Sequence, residues 1–153
     1  MDAGLSGAGT VNAMVPQVSG EQQYAGQRLG LPEQGPRSVA GWGRRIAALF
    51  VDWVASLLVA SLLDTWAGLA NTNGWLTLVV FLVEATIFTA LAGGSFGQLA
   101  LRLAVVRLDG RPVNVLQALI RTFLICLVIP PLVFNRDNRG LHDLAVGTIT
   151  VVR

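Results

Sequence analysis

Residues 46–63 read IAALFVDWVASLLVASLL, eighteen residues with a single charge, Asp52. As a helix rising about 1.5 Å per residue they extend roughly 27 Å, close to the ~30 Å hydrocarbon core of a bilayer. Ten of them are Ile, Leu, Phe or Val. Each such residue favours insertion by roughly 0.3 to 0.6 kcal/mol, whereas a central Asp costs about 2.5 to 3.5 kcal/mol. Insertion therefore breaks even or wins. Residues 75–92, WLTLVVFLVEATIFTALA, repeat the design with ten such residues and one charge, Glu84. Trp75 at their start suits the interfacial aromatic belt. A short polar connection carrying Asn71, Asn73 and Gly74 joins the two runs, so an antiparallel transmembrane hairpin is expected.

A third apolar run, residues 116–134 (LQALIRTFLICLVIPPLVF), contains Arg121, and Pro130-Pro131 interrupts its backbone hydrogen bonds. It either crosses fully or enters and returns. Between the second and third runs, Leu101, Leu103 and Val105 alternate with Arg102 and Ala104, and Asp109-Gly110 offers a turn. Residues 147–152, GTITVV, are β-branched and read as a strand. The fold class is thus an all-α membrane protein: a transmembrane hairpin, a third apolar helix that crosses or re-enters, and a small β element at the membrane surface.

Arginine distribution bears on sidedness. Arg37, Arg44 and Arg45 precede the first span, and Arg102, Arg107 and Arg111 follow the second. The positive-inside rule places both groups, and the N-terminus, in the cytoplasm. Three full spans would put Arg136, Arg139 and Arg153 outside, against that rule. A re-entrant or tilted third run removes the conflict. It also lets GTITVV pair with residues 103–108 instead of exposing an unpaired edge.

The composition agrees with a membrane protein and excludes several activities. Hydrophobic residues make up 53% of the 153 and charged residues 13%, against roughly a quarter charged in soluble domains. Mean hydropathy is +0.60. The first 40 residues hold much of the polar content, are rich in Gly, Gln, Ser and Pro, and read as a disordered tail (1–40) ahead of a membrane domain (41–153). Because the first Arg is Arg28, a basic leader followed by an apolar stretch is not indicated. A net charge of +2 gives no nucleic-acid footprint. All eleven cations are Arg, which excludes a Walker A loop and Schiff-base chemistry and, with abundant Ala, Gly and Val, suggests a GC-rich genome. One Cys (Cys126) and one His (His142) exclude a Cys/His zinc site within one chain. With no nucleophile–base pair either, neither an enzyme nor a cofactor is expected.

Three motifs, in order, resemble the RDD family of bacterial membrane proteins, named for one Arg and two Asp. GWGRRIAALFVDWV carries Arg45 and, seven residues on, Asp52; RGLHDLAVGTITVVR carries Asp143; and GGSFGQLALRLAVVRLDGRPV is similar to the family's Gly-rich linker and strand. Here Gln98 stands where the family usually has Lys, and Arg102 where Gly is common. The resemblance covers about residues 41–153. It implies a bacterial inner-membrane protein, multi-pass, with cation or proton transport as the activity suspected for some members.

Seven residues turn a helix through about 700°, so Arg45 and Asp52 share a face. If the ends of all three runs lie on one side, Arg45, Asp52, Glu84 and Arg121 fall at similar depth, two positive and two negative. Such a cluster fixes helix packing, or it handles a proton or cation. Two function classes follow. One is small-ion transport, expected of an oligomer. The alternative is a non-catalytic accessory or scaffolding subunit whose charges pack helices or dock a partner membrane protein. Asp143 beside His142 either titrates near neutral pH, or simply caps a helix or accepts a bond from a nearby Arg.

Overall fold

The computed structural model describes residues 23–68, 74–127 and 139–153. Two helices dominate it: α1 (Trp42–Ala67) and α2 (Trp75–Ala92), each long and apolar enough to cross a membrane. Each stops at a left-handed glycine, Gly68 and Gly93, whose N–H returns to the carbonyl of Asp64 and Thr89 respectively. The residues that α1 buries are Ala48, Asp52, Ser56 and Ala60. Their spacing of four makes one face of the helix, and its small side chains admit close neighbours. Other small residues of this helix, Gly43, Ala47 and Ser61 among them, instead face outward. Trp53 packs on Phe81 of α2 with ring centroids 6.3 Å apart. Phe50, Leu58, Leu62 and Leu91 are exposed, as a lipid-facing surface requires.

Five shorter elements follow: α3 (Phe96–Ala100), β1 (Leu103–Arg107), α4 (Val115–Cys126), α5 (Leu141–Ala145) and β2 (Thr148–Val152). β1 and β2 pair antiparallel, with Leu103 opposite Val152 and Arg107 opposite Thr148, which is the pairing expected from their alternation. The other edge of β2 is covered as well. Arg37 N–H donates to Val152 O (2.7 Å), Val152 N–H to Ser38 O (3.0 Å) and Ala40 N–H to Thr150 O (3.0 Å). Residues 37–40, assigned from sequence to the tail, thus lie along β2. Four residues are too few to show a period, but an open edge beside them needs a partner.

These pairings bring the start of α1, the end of α2 and the C-terminal segment to one end of the hairpin. Arg153 reinforces the join by donating from Nη2 to Ala92 O at 2.5 Å, at the C-terminal end of α2. Val105, Val113 and Ala118 pack together there with Ala90 of α2, so α4 starts at this same end. The chain leaves it in α4 and is back at Arg139, which bonds Thr148 O at 3.0 Å. Twelve residues of α4 rise roughly 18 Å, well short of a bilayer core. Residues 128–134 of the third run, Pro130-Pro131 among them, and the Asn71/Asn73 connection lie outside the described residues.

Candidate functional site

Asp143 is the centre on which Arg45 of α1 and Arg121 of α4 converge. It sits in α5 and is completely buried. One oxygen, Oδ1, accepts from Arg121 Nε at 2.9 Å and Thr148 Oγ1 at 3.1 Å. The other, Oδ2, accepts from Thr150 Oγ1 at 3.2 Å and Arg45 Nη1 at 3.4 Å. Thr148 and Thr150 can act together because alternate residues of a strand share a face. Arg45, in the first turn of α1, also donates from Nε to Ala40 O (3.1 Å) and from Nη2 to Thr150 O (3.2 Å). Burial alone would push the Asp143 carboxyl up. The charges of Arg121, His142 and Arg45 outweigh it and hold the group below the ordinary carboxylate range.

Asp52 and Glu84 serve a different centre, the N-terminus of α3. Gly97 N–H donates to Asp52 Oδ1 at 2.5 Å, Ser95 Oγ donates to Asp52 Oδ2 at 2.5 Å, and Phe96 N–H donates to Glu84 Oε1 at 2.8 Å. Ser95 and Gln98 complete a capping box, with Ser95 N–H on Gln98 Oε1 at 3.0 Å. Every N–H from Ser95 to Gln98 therefore has an acceptor, although helix starts otherwise leave such donors orphaned. Residues 93–97 open the stretch that resembles a Gly-rich linker in sequence. Instead they lead into a short helix gripped by one carboxylate from each long helix. Gly97 makes the grip possible, since a Cβ there would overlap the carbonyl oxygen of Ala48.

The four charges expected to form one neutral group are thus divided. Arg45 and Arg121 share Asp143, while Asp52 and Glu84 bond backbone and hydroxyl donors. A helix start supplies N–H groups and a positive dipole end, so a carboxylate there needs no Arg. A cavity of about 150 Å3 still brings Arg45, Asp52 and Arg121 onto one wall, together with Ser95, Gln98 and His142. Glu84 does not line it. Among the described residues no three His, Cys, Asp or Glu side chains gather where they could hold a metal ion.

Sequence reasoning missed Ser95, Thr148, Thr150 and Arg139 as members of these centres. Two signals were available: the Ser-x-x-Gln capping pattern at Ser95 and Gln98, and the Thr-x-Thr alternation that puts two hydroxyls beside Asp143. The departures from the family pattern have local meanings. Gln98 accepts from Ser95 N–H, which a Lys cannot do. Arg102 adopts φ 56°, the left-handed region that glycine occupies without strain.

The RDD family model matches residues 39–147. No curated protein and no solved structure matches the chain.

Proposed function

The chain belongs to the RDD family, and from that premise we propose that it is a multi-pass protein of the bacterial cell membrane that moves a proton or small cation at its polar cavity. Both termini face the cytoplasm in this reading, and the third apolar run is re-entrant. The observation that carries it is the position of Asp52. It is a carboxylate about 15 Å along α1 from Trp42, and it faces the same cavity as Arg45 and Arg121. Ionisable groups at such depth are costly and belong to pathways or to fixed pairs. Further polar atoms lie along the span faces: Ser56 Oγ, Glu84 Oε2, Thr86 Oγ1 and Thr89 Oγ1 are buried with no hydrogen-bond partner among the described residues. Buried polar atoms take water, an ion or a neighbouring chain as partner. Two spans and a twelve-residue helix are too few to enclose a pathway, so the reading includes a homo-oligomer.

A second reading, a non-catalytic accessory subunit, is favoured by the engagement of Asp52 and Glu84 with α3, which suits a fixed clamp as well as a site. Reconstitution in liposomes with pH- and sodium-sensitive dyes separates the two. Transport predicts flux that Asp52→Asn and Glu84→Gln abolish while melting temperature in detergent is retained. Unaltered flux in both variants ends the transport reading. Absence of flux in the wild-type chain, with a membrane partner co-purifying in stoichiometric amount, supports the accessory role.

A further inference from the structure

The polar cavity does not end at its charged wall. Ile46, Leu49, Phe81 and Ile125 line it and also line a second cavity of about 350 Å3, which continues past Phe50, Trp53 and Cys126. The second volume lies within the ~300–1,000 Å3 of ordinary ligand sites, and its named lining is apolar apart from the Cys126 thiol and the Trp53 ring N–H. Leu49, Phe50 and Trp53 are exposed side chains of α1, so the groove opens sideways, toward lipid if α1 spans the bilayer. One end of a single groove is therefore polar and the remainder greasy.

The polar end is rich in donors. Arg121 is almost wholly buried, and its Nε and Nη2 are bonded to Asp143 and Thr150. Its Nη1 has no acceptor among the described residues. Gln98 is likewise buried. Its Oε1 must face Ser95 N–H, which turns its Nε2 donor away from that bond, and Nε2 too has no acceptor among the described residues. On the cavity wall two guanidiniums, Arg45 and Arg121, face one carboxylate, Asp52, whose oxygens are engaged by Gly97 and Ser95. Asp143 behind the wall balances the second guanidinium, so what the wall offers is unused N–H groups, one of them on a guanidinium, and an apolar channel leads from it.

We propose that this groove between α1, α2 and α4 holds one acyl chain of an anionic phospholipid, with its phosphate at Arg121 Nη1 and Gln98 Nε2. Basic pockets between membrane helices on the cytoplasmic side are suited to such headgroups, and the guanidinium plane suits phosphate oxygens. The inference needs a membrane location but not ion movement, and it is read by binding alone.

The test is native mass spectrometry of the purified full chain, released from detergent after exposure to phosphatidylglycerol or to phosphatidylcholine with the same acyl chains. The expected result is one retained phosphatidylglycerol per chain, with phosphatidylcholine retained about tenfold less, the equivalent of one charge-assisted hydrogen bond. Arg121→Lys, which keeps the charge but removes Nη1, should lower retention by a similar factor. Leu49→Phe narrows the groove without touching an ion pair and should lower it independently. If Arg121→Lys does not fold, the headgroup preference and Leu49→Phe together decide. Inorganic phosphate competing as well as phosphatidylglycerol would overturn the lipid assignment. So would equal retention of the two lipids, an unaffected Leu49→Phe variant, or a lipid-free dimer that shields Leu49 from labelling.

Discussion

Replacing Gly97 by alanine should pull α3 off α1. The added Cβ would overlap the carbonyl oxygen of Ala48 and come within 3.0 Å of the Asp52 carboxyl carbon. Neither neighbour can yield easily, since one is helix backbone and the other is held by Ser95 and Gly97. Relief must come from α3 backing away, which lengthens the Gly97 N–H bond to Asp52. Overpacking of this kind costs about 1–3 kcal/mol, and a hydrogen bond to a charged group contributes about 1.5–3 kcal/mol. The two overlap, because the movement that relieves one weakens the other, so a net loss of about 2–4 kcal/mol is expected. Gly43→Ala is the matched control. Gly43 lies in α1 with nothing near the position of a Cβ, so the same change should be neutral or gain up to about 1 kcal/mol. Denaturant unfolding in detergent, followed by tryptophan fluorescence and circular dichroism, measures both. A Gly97→Ala variant within about 0.5 kcal/mol of the parent, the range of an ordinary surface change, would refute the close packing of α3 on α1.

Other expectations use the same assay or a labelling one. Asp143→Asn leaves Arg45 and Arg121 without their shared carboxylate and should cost about 3–5 kcal/mol; a loss below about 1 kcal/mol would mean that solvent or another group neutralises them. The folded Asp143 carboxyl titrates below its unfolded value of about 3.9. Its contribution is therefore complete above that pH and disappears as pH falls through the folded value, and unfolding below about pH 4 should show an acid loss that Asp143→Asn lacks. Arg102→Gly should stabilise by about 1 kcal/mol by relieving a left-handed backbone, and a destabilised variant would show that the Arg102 side chain matters more than its φ. A cysteine at position 153, in a Cys126→Ser background, should resist impermeant reagent on intact cells and react after permeabilisation; labelling from outside would overturn the shared cytoplasmic side of the termini.

Legibility in the sequence tracked the range of the interaction. α1 and α2 were readable because their lengths and apolar content are local properties, and the two strands because alternation and β-branching are local too; their pairing, which spans α4, followed only from the need to cover an open edge. The division of the charges was not readable. Depth along separate helices put Arg45, Asp52, Glu84 and Arg121 at one level, but depth says nothing of azimuth or of competing donors. The N–H groups at the start of α3 were hidden inside a Gly-rich stretch that resembles a linker. Asp143, read as a residue that titrates, caps a helix or accepts from an Arg, does accept from an Arg, yet nothing local indicated that it would accept from two.

Arg45 and Asp143 are separated by 98 positions, and that distance orders events during synthesis. Arg45, α1 and α2 leave the ribosome long before the carboxylate that neutralises them exists, and Arg121 also precedes it. Until Asp143 emerges, the nascent chain carries two guanidiniums at the base of its hairpin with no fixed counter-ion, and β1 has no strand to pair with. Closure of the Asp143 centre and of the β1–β2 pair therefore waits until translation has passed β2. A chain cut short upstream of Asp143 keeps an open sheet edge on β1 and two guanidiniums without their shared carboxylate.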